Sequence, residues 1–393
     1  MCLATTALVN GFAPLLFVTF ESYYGITLEN LAALIALNFL TQVATALLLS
    51  KVIDALGYKI SSAIALISVM LGLAGLAILP DILPPFIGLC IAVGFYALGS
   101  GILNITVNPV VNQCIREESS RSLLFSSYCW GFVVVILVST LFFHLFGTEN
   151  WRVLACFWVI IPLACLILFL LSPIKHPRAI MADMTDNADK PQSKIPLREL
   201  LSQRVFLVVA LAMLCAGASE HAMSQWASMF AEVGLNVSKT AGDLAGPTMF
   251  AALMGVSRLL HPLIFRLTRN KITLERYMLA SGLLCVGGYM LAAFAPTPVL
   301  AFIGCGLCGF AAGIFWPGTI SLASKRFAHG GTAMFAVLSL TGNIGGASGP
   351  AIVGMILDRT ESSFSAALSI VSVFPLILAL CVAYYMRKQK GLQ

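Results

Sequence analysis

Apolar runs of about twenty residues recur along the whole chain, separated by short polar or Gly/Pro breaks. Each run is long enough to cross about 30 Å of hydrocarbon as a helix. The pattern predicts twelve membrane-spanning helices. The first six run roughly over Leu3–Phe20, Leu28–Ile53, Ile60–Leu79, Pro84–Val111, Leu123–Phe146 and Trp151–Leu171. The second six run roughly over Val205–Met229, Ala241–Leu267, Ile272–Phe294, Val299–Ala323, Ala333–Leu357 and Phe364–Met386. One long polar stretch, residues 172–202, separates the two sets and reads as a connecting loop. The predicted organisation is therefore a six-helix bundle over 1–171, a cytoplasmic loop over 172–202 and a second six-helix bundle over 203–393.

Composition supports this reading. Of 393 residues, 59% are hydrophobic and 10% charged, whereas soluble domains carry about 45–50% apolar and about 25% charged residues. Mean hydropathy is +0.94. These values exclude a cytoplasmic enzyme, a nucleic-acid binder and a disulfide-stapled secreted domain. The net charge of +6 comes from basic residues in short loops between apolar runs, so it concerns topology. With both termini and the central loop inside, 19 of the 23 Lys and Arg residues are cytoplasmic, 3 are external (Arg152, Lys239, Arg359), and Arg258 lies within a span. Short loops rich in Lys and Arg stay in the cytoplasm, so the expectation is a multi-pass protein of the cell membrane with both termini cytoplasmic.

The chain begins directly in apolar sequence without the basic n-region of a secretory signal. This fits a shortened start, or a first helix inserted on the strength of the loops behind it. Eleven cysteines are scattered through the spans without His or Asp at ligand spacing. The Cys305/Cys308 pair reads as small packing residues. No metal and no cofactor is expected.

The halves echo each other. Glu21 and the helix-capping candidate Thr27 recur 211 residues later as Glu232 and Ser238. At this level the chain resembles the major facilitator superfamily of secondary transporters. The loop Ser50-Lys51-Val52-Ile53-Asp54-Ala55-Leu56-Gly57-Tyr58-Lys59 is similar to the superfamily's signature loop, matching it at Asp54, Gly57 and Lys59 and departing at Ser50, Ala55 and Tyr58. The resemblance implies an all-α fold of twelve transmembrane helices in two pseudo-symmetric bundles, and gating by Asp54 with Lys59. A plain helix-end turn is the other reading of Asp54. Within the superfamily, Phe12-Ala13-Pro14-Leu15-Leu16-Phe17, Tyr24-Gly25-Ile26 and Asn150-Trp151-Arg152 look most like the fucose-permease-like sugar transporters. Those relatives carry carboxylates in the first and fourth helices, where this chain has Asn10, Asn104 and Asn108.

Polar side chains deep in spans are costly unless they face a cavity or a helix partner, so they supply the site candidates. Asn104, Asn108 and Asn112 recur every four residues on one face of the fourth helix, and Asn38, Thr41, Gln42 and Thr45 form a stripe on the second. Amides donate and accept, which suits sugar hydroxyls; interhelical bonding is the competing role. The seventh helix holds Glu220, His221 and Gln225. Glu220 is the one carboxylate placed deep in the membrane and the candidate for proton coupling, with His221 beside it. A permanent ion pair with Arg258, or a protonated structural Glu220, are the alternatives. Arg258 is a candidate for gating or anion binding. In the tenth helix, a break at Pro317 sets Trp316 as a stacking or packing aromatic. In the eleventh, the glycine-rich run 342–349 reads as a packing face, with Asn343 as its cavity-facing member.

The expectation is a secondary transporter that moves a small polar solute, with a sugar as one candidate, by alternating access. The proton is a candidate coupling ion. Drug or metabolite efflux and a transporter-like sensor are the other readings. No HExxH, GxSxG or paired intramembrane Asp supports an enzyme. The expected partners are the solute and the lipid bilayer, not nucleic acid, and a monomer is expected.

Overall fold

In the computed structural model, the structure describes residues 1–114, 118–171, 197–268, 271–327, 331–360 and 363–390. Among these there is no strand, and 12 helices are long and apolar enough to cross a membrane. They are α1 (Cys2–Tyr24), α2 (Leu28–Leu49), α3 (Tyr58–Ile82), α4 (Pro85–Val107), α5 (Ser126–Phe146), α6 (Thr148–Leu171), α7 (Arg204–Gly234), α8 (Lys239–Leu267), α9 (Leu274–Phe294), α10 (Pro298–Arg326), α11 (Met334–Arg359) and α12 (Phe364–Lys388). The order and extents follow the predicted hydrophobic runs. Large apolar side chains stand exposed along these spans, such as Leu48, Leu71, Leu141, Leu171 and Leu380. Water would oppose such a surface, whereas lipid solvates it; this is a multi-pass membrane protein.

The chain divides into two compact units, one of Met1–Ile26 and Leu37–Gln192, the other of Thr27–Ala36 and Ser193–Gln393. Of the predicted connecting loop, residues 172–196 lie outside the described residues, whereas Leu197–Ser202 form a short helix. Leu200 explains the difference, because one turn of helix carries it into full burial.

In the first unit, α1 is not one continuous helix. It winds as α-helix over Cys2–Gly11, tightens to a 3-10 turn over Ala13–Leu16 and resumes over Phe17–Tyr24. Pro14 has no N–H to donate and its ring crowds the carbonyl four residues back, at Asn10. The ends of α1, α3 and α6 are clasped together. Arg152 donates from Nε to Asp81 Oδ2 at 3.0 Å and from an Nη to Asp81 Oδ1 at 2.8 Å, while the Tyr24 hydroxyl donates to Asp81 at 2.7 Å. The guanidinium also lies over the rings of Tyr23 and Trp151, at 4.9 and 4.7 Å.

In the second unit, the glycine-rich face of α11 packs on α7. A β-carbon at Gly345 would strike the Leu214 carbonyl, and one at Gly349 would fall 2.5 Å from the Ala218 carbonyl oxygen. Small residues here let the backbones touch. Trp226 Nε1 of α7 donates to the Pro350 carbonyl at 3.0 Å and closes the same interface. In α10 the helix breaks between Ala312 and Phe315, ahead of Pro317. Pro317 occupies the first turn of the following segment, where a missing N–H costs no helical bond.

Candidate functional site

Each unit holds a distinctive group of buried polar side chains. In the first unit, Asn38 and Gln42 lie one turn apart on α2 and point toward α1 and α4. Asn38 Nδ2 donates to Asn10 Oδ1 at 2.9 Å, and Gln42 Nε2 donates to the same oxygen and to Asn38 Oδ1, each at 3.1 Å. Asn104 Nδ2 on α4 donates to Gln42 Oε1 at 3.1 Å. Asn10 Nδ2 completes the chain by donating to the Tyr128 hydroxyl of α5 at 3.3 Å. The approach of α4 to α2 depends on Gly101, whose β-carbon would come within 2.8 Å of the Thr45 Cβ.

The structure thus joins Asn10, Asn38, Gln42 and Asn104, together with Tyr128, into one neutral network across four helices. Asn10, Asn38 and Gln42 are buried, whereas Asn104 and Tyr128 are half-buried and form its accessible edge. Tyr128 was missing from the sequence candidates; the polar run Ser126-Ser127-Tyr128 inside an apolar helix was the available signal. The side chains of Asn108, Asn112 and Asp54 lie outside the described residues, and Lys59 is half-buried.

In the second unit, Glu220 and His221 lie at the middle of α7, 4% and 7% exposed. Glu220 Oε2 is buried without a hydrogen-bond partner. A carboxylate held away from water with an oxygen unsatisfied is costly. Arg258 on α8 is half-buried and acts electrostatically on Glu220, His221 and His261. Beside Arg258 on α8, Ser257 Oγ shares a 3.0 Å hydrogen bond with Nε2 of His261 one turn on, and the His261 ring meets Tyr277 edge-on at 5.0 Å. Sequence reading had not singled out His261, which looks like an ordinary residue near a helix end.

Gln225, Trp316 and Asn343 occupy α7, α10 and α11. Gln225 is buried, and Trp316 and Asn343 are half-buried. The Trp316 ring lies against Gly342, where a β-carbon would fall 2.5 Å from it. A further charged group sits where α7 meets α8. Lys239 Nζ contacts Glu232 at 2.7 Å and Asp243 at 3.3 Å, and the Ser228 hydroxyl donates to Asp243. Lys239 and Asp243 are four residues apart, a spacing that signals such a pair. Of the repeat's two capping candidates, Thr27 does accept from the Asn30 N–H at 3.3 Å, whereas the Ser238 side chain makes no capping bond. Cys305 and Cys308 are buried, the first against Met223 Sδ and the second against the Cys285 carbonyl. Among the described residues, no group of three or more His, Cys, Asp or Glu is placed to hold a metal ion.

Comparison with known proteins agrees with this architecture. The chain has no match among curated proteins. Among solved structures, the E. coli fucose:proton symporter FucP, in a variant form, matches with a TM-score of 0.59 at 16% identity, over 98% of this chain and 96% of FucP. At that identity the likeness is one of fold. The family model of the Major Facilitator Superfamily matches residues 1–350. Twelve spans of the right order and a family match over most of its length place the chain in the major facilitator superfamily of membrane transporters.

Proposed function

We propose that this transporter moves a small polar solute, a sugar first among the candidates, by alternating access, with Glu220 as its coupling carboxylate. The amide network of Asn10, Asn38, Gln42 and Asn104 carries the solute reading. Amides and a phenol offer paired donors and acceptors without charge, which matches hydroxyl-rich neutral solutes. FucP is a fucose:proton symporter, and its shared fold is consistent with this choice. Gln225, Trp316 and Asn343 are the second unit's proposed solute contacts. Trp316 offers an apolar ring face, and Asn343 a further amide.

Coupling is assigned to Glu220 because it is the one carboxylate near the middle of a span, and its Oε2 is buried without a partner. His221 follows it in the chain, and Arg258 acts on it electrostatically. Asp54 and Lys59 are assigned to the gate, and the termini to the cytoplasm. The test is a thermal-shift screen of the purified protein against sugars, organic acids and drug-like cations. A ligand bound only by the folded state stabilises by mass action. The expected result is stabilisation by a sugar that is lost in Asn104→Ala. Stabilisation by drug-like cations alone would replace this reading with efflux.

A further inference from the structure

Two cysteines far apart in the chain meet inside the first unit. Cys2 Sγ on α1 lies 3.4 Å from Cys165 Sγ on α6. Cys165 is buried as part of an apolar cluster that includes Tyr58, Leu66 and Leu103, and Cys2, half-buried, packs against that cluster. The segments carrying them, Cys2–Gly11 and Ile160–Leu171, pack directly against each other. No comparable pairing holds Cys305 and Cys308, which lie on one helix and engage different partners.

A disulfide needs its sulfurs about 2.05 Å apart with compatible Cβ directions. From 3.4 Å this is a closure of about 0.7 Å by each sulfur, within reach of a small side-chain rotation. We propose that Cys2 and Cys165 form a redox dithiol, which a membrane-permeant two-electron oxidant, an azo compound or a quinone, closes into a disulfide stapling α1 to α6. Each thiol gives up its hydrogen, and one S–S bond replaces two S–H bonds. The oxidant takes up the two protons and two electrons, an azo N=N becoming a hydrazine. The pair is packed among apolar side chains inside the spans, which is why the oxidant must be one that enters the bilayer. The stapled segment carries Asn10, so the link fastens the helix that anchors the amide network.

The purified protein in detergent is treated with the azo oxidant diamide, and thiols are counted after denaturation. The count is expected to fall from eleven to nine, to recover with dithiothreitol, and to raise the thermal midpoint by closing a long loop. Digestion without reduction should yield a peptide pair linking Cys2 to Cys165, a readout that needs no variant. Cys2→Ser and Cys165→Ser should each keep all their remaining thiols. No loss of thiols, a link between other cysteines, or a crosslinked dimer on a non-reducing gel would overturn the proposal.

Discussion

Asn10 of α1 accepts a 2.9 Å hydrogen bond from Asn38 of α2, and the same oxygen accepts a second from Gln42. One neutral amide therefore holds together two helices that periodicity alone would leave unrelated. Replacing it with Ala takes the acceptor from the Asn38 amide and leaves Gln42 only its bond to Asn38. At about 0.6 kcal/mol per interhelical bond in membranes, Asn10→Ala is expected to cost about 1–2 kcal/mol and to weaken solute binding. Asn10→Asp keeps the acceptor, and the Tyr128 hydroxyl then donates to it. That variant should fold normally and add a pH dependence to uptake, because it creates a second deep carboxylate. Thermal unfolding and uptake across a pH series check both expectations.

The α7–α11 contact makes a prediction of its own. Even a methyl group at Gly349 meets the Ala218 carbonyl oxygen at 2.5 Å, and that backbone cannot withdraw without separating the helices. Gly349→Val is expected to cost about 1–3 kcal/mol or more through overpacking. Gly287 on α9 has open space around it, so Gly287→Ala should be neutral or stabilising by up to about 1 kcal/mol. The temperature at which each variant loses its monodisperse chromatographic peak separates the two.

The clasp of Arg152, Asp81, Tyr24 and Trp151 combines an exposed ion pair with a buried ring, and the two should differ sharply. Asp81 is 46% exposed, so Asp81→Asn is expected to cost under about 1 kcal/mol, with an effect that fades in high salt. Trp151 is 1% exposed and packs edge-on against Phe20, so Trp151→Ala should cost about 3–5 kcal/mol. Thermal unfolding at low and high ionic strength tests both.

The proposed orientation rests on the distribution of Lys and Arg. Single cysteines at positions 59 and 325, in a background without accessible native cysteines, are expected to label from the cytoplasmic side, and one at 358 from outside. Labelling of 59 and 358 from the same side would refute the assignment.

Much of this architecture was legible in the chain, because a span of about twenty apolar residues has no competing explanation in water. The fourfold spacing of Asn38 and Gln42 was equally readable. Their convergence on Asn10 was not, since it depends on how α1 and α2 pack. Tyr128 escaped notice because a tyrosine in an apolar helix resembles packing. Proline misled in both directions: Pro14 opens a helix that reads as continuous, whereas Pro317 sits harmlessly after a break that begins at Gly313. The clasp was visible only as the motif Asn150-Trp151-Arg152, whose partner Asp81 lies 71 residues before Arg152.

The central claim is that Glu220 couples solute movement to protons. Its most direct test is uptake into proteoliposomes under an imposed pH gradient, comparing wild type with Glu220→Gln, which keeps the side chain's shape but cannot ionise. Wild type is expected to accumulate solute against its gradient; the variant should still exchange solute between two pools but lose accumulation, since it cannot release a proton on the far side. Proton-driven accumulation that survives in Glu220→Gln would contradict the account and turn attention to His221.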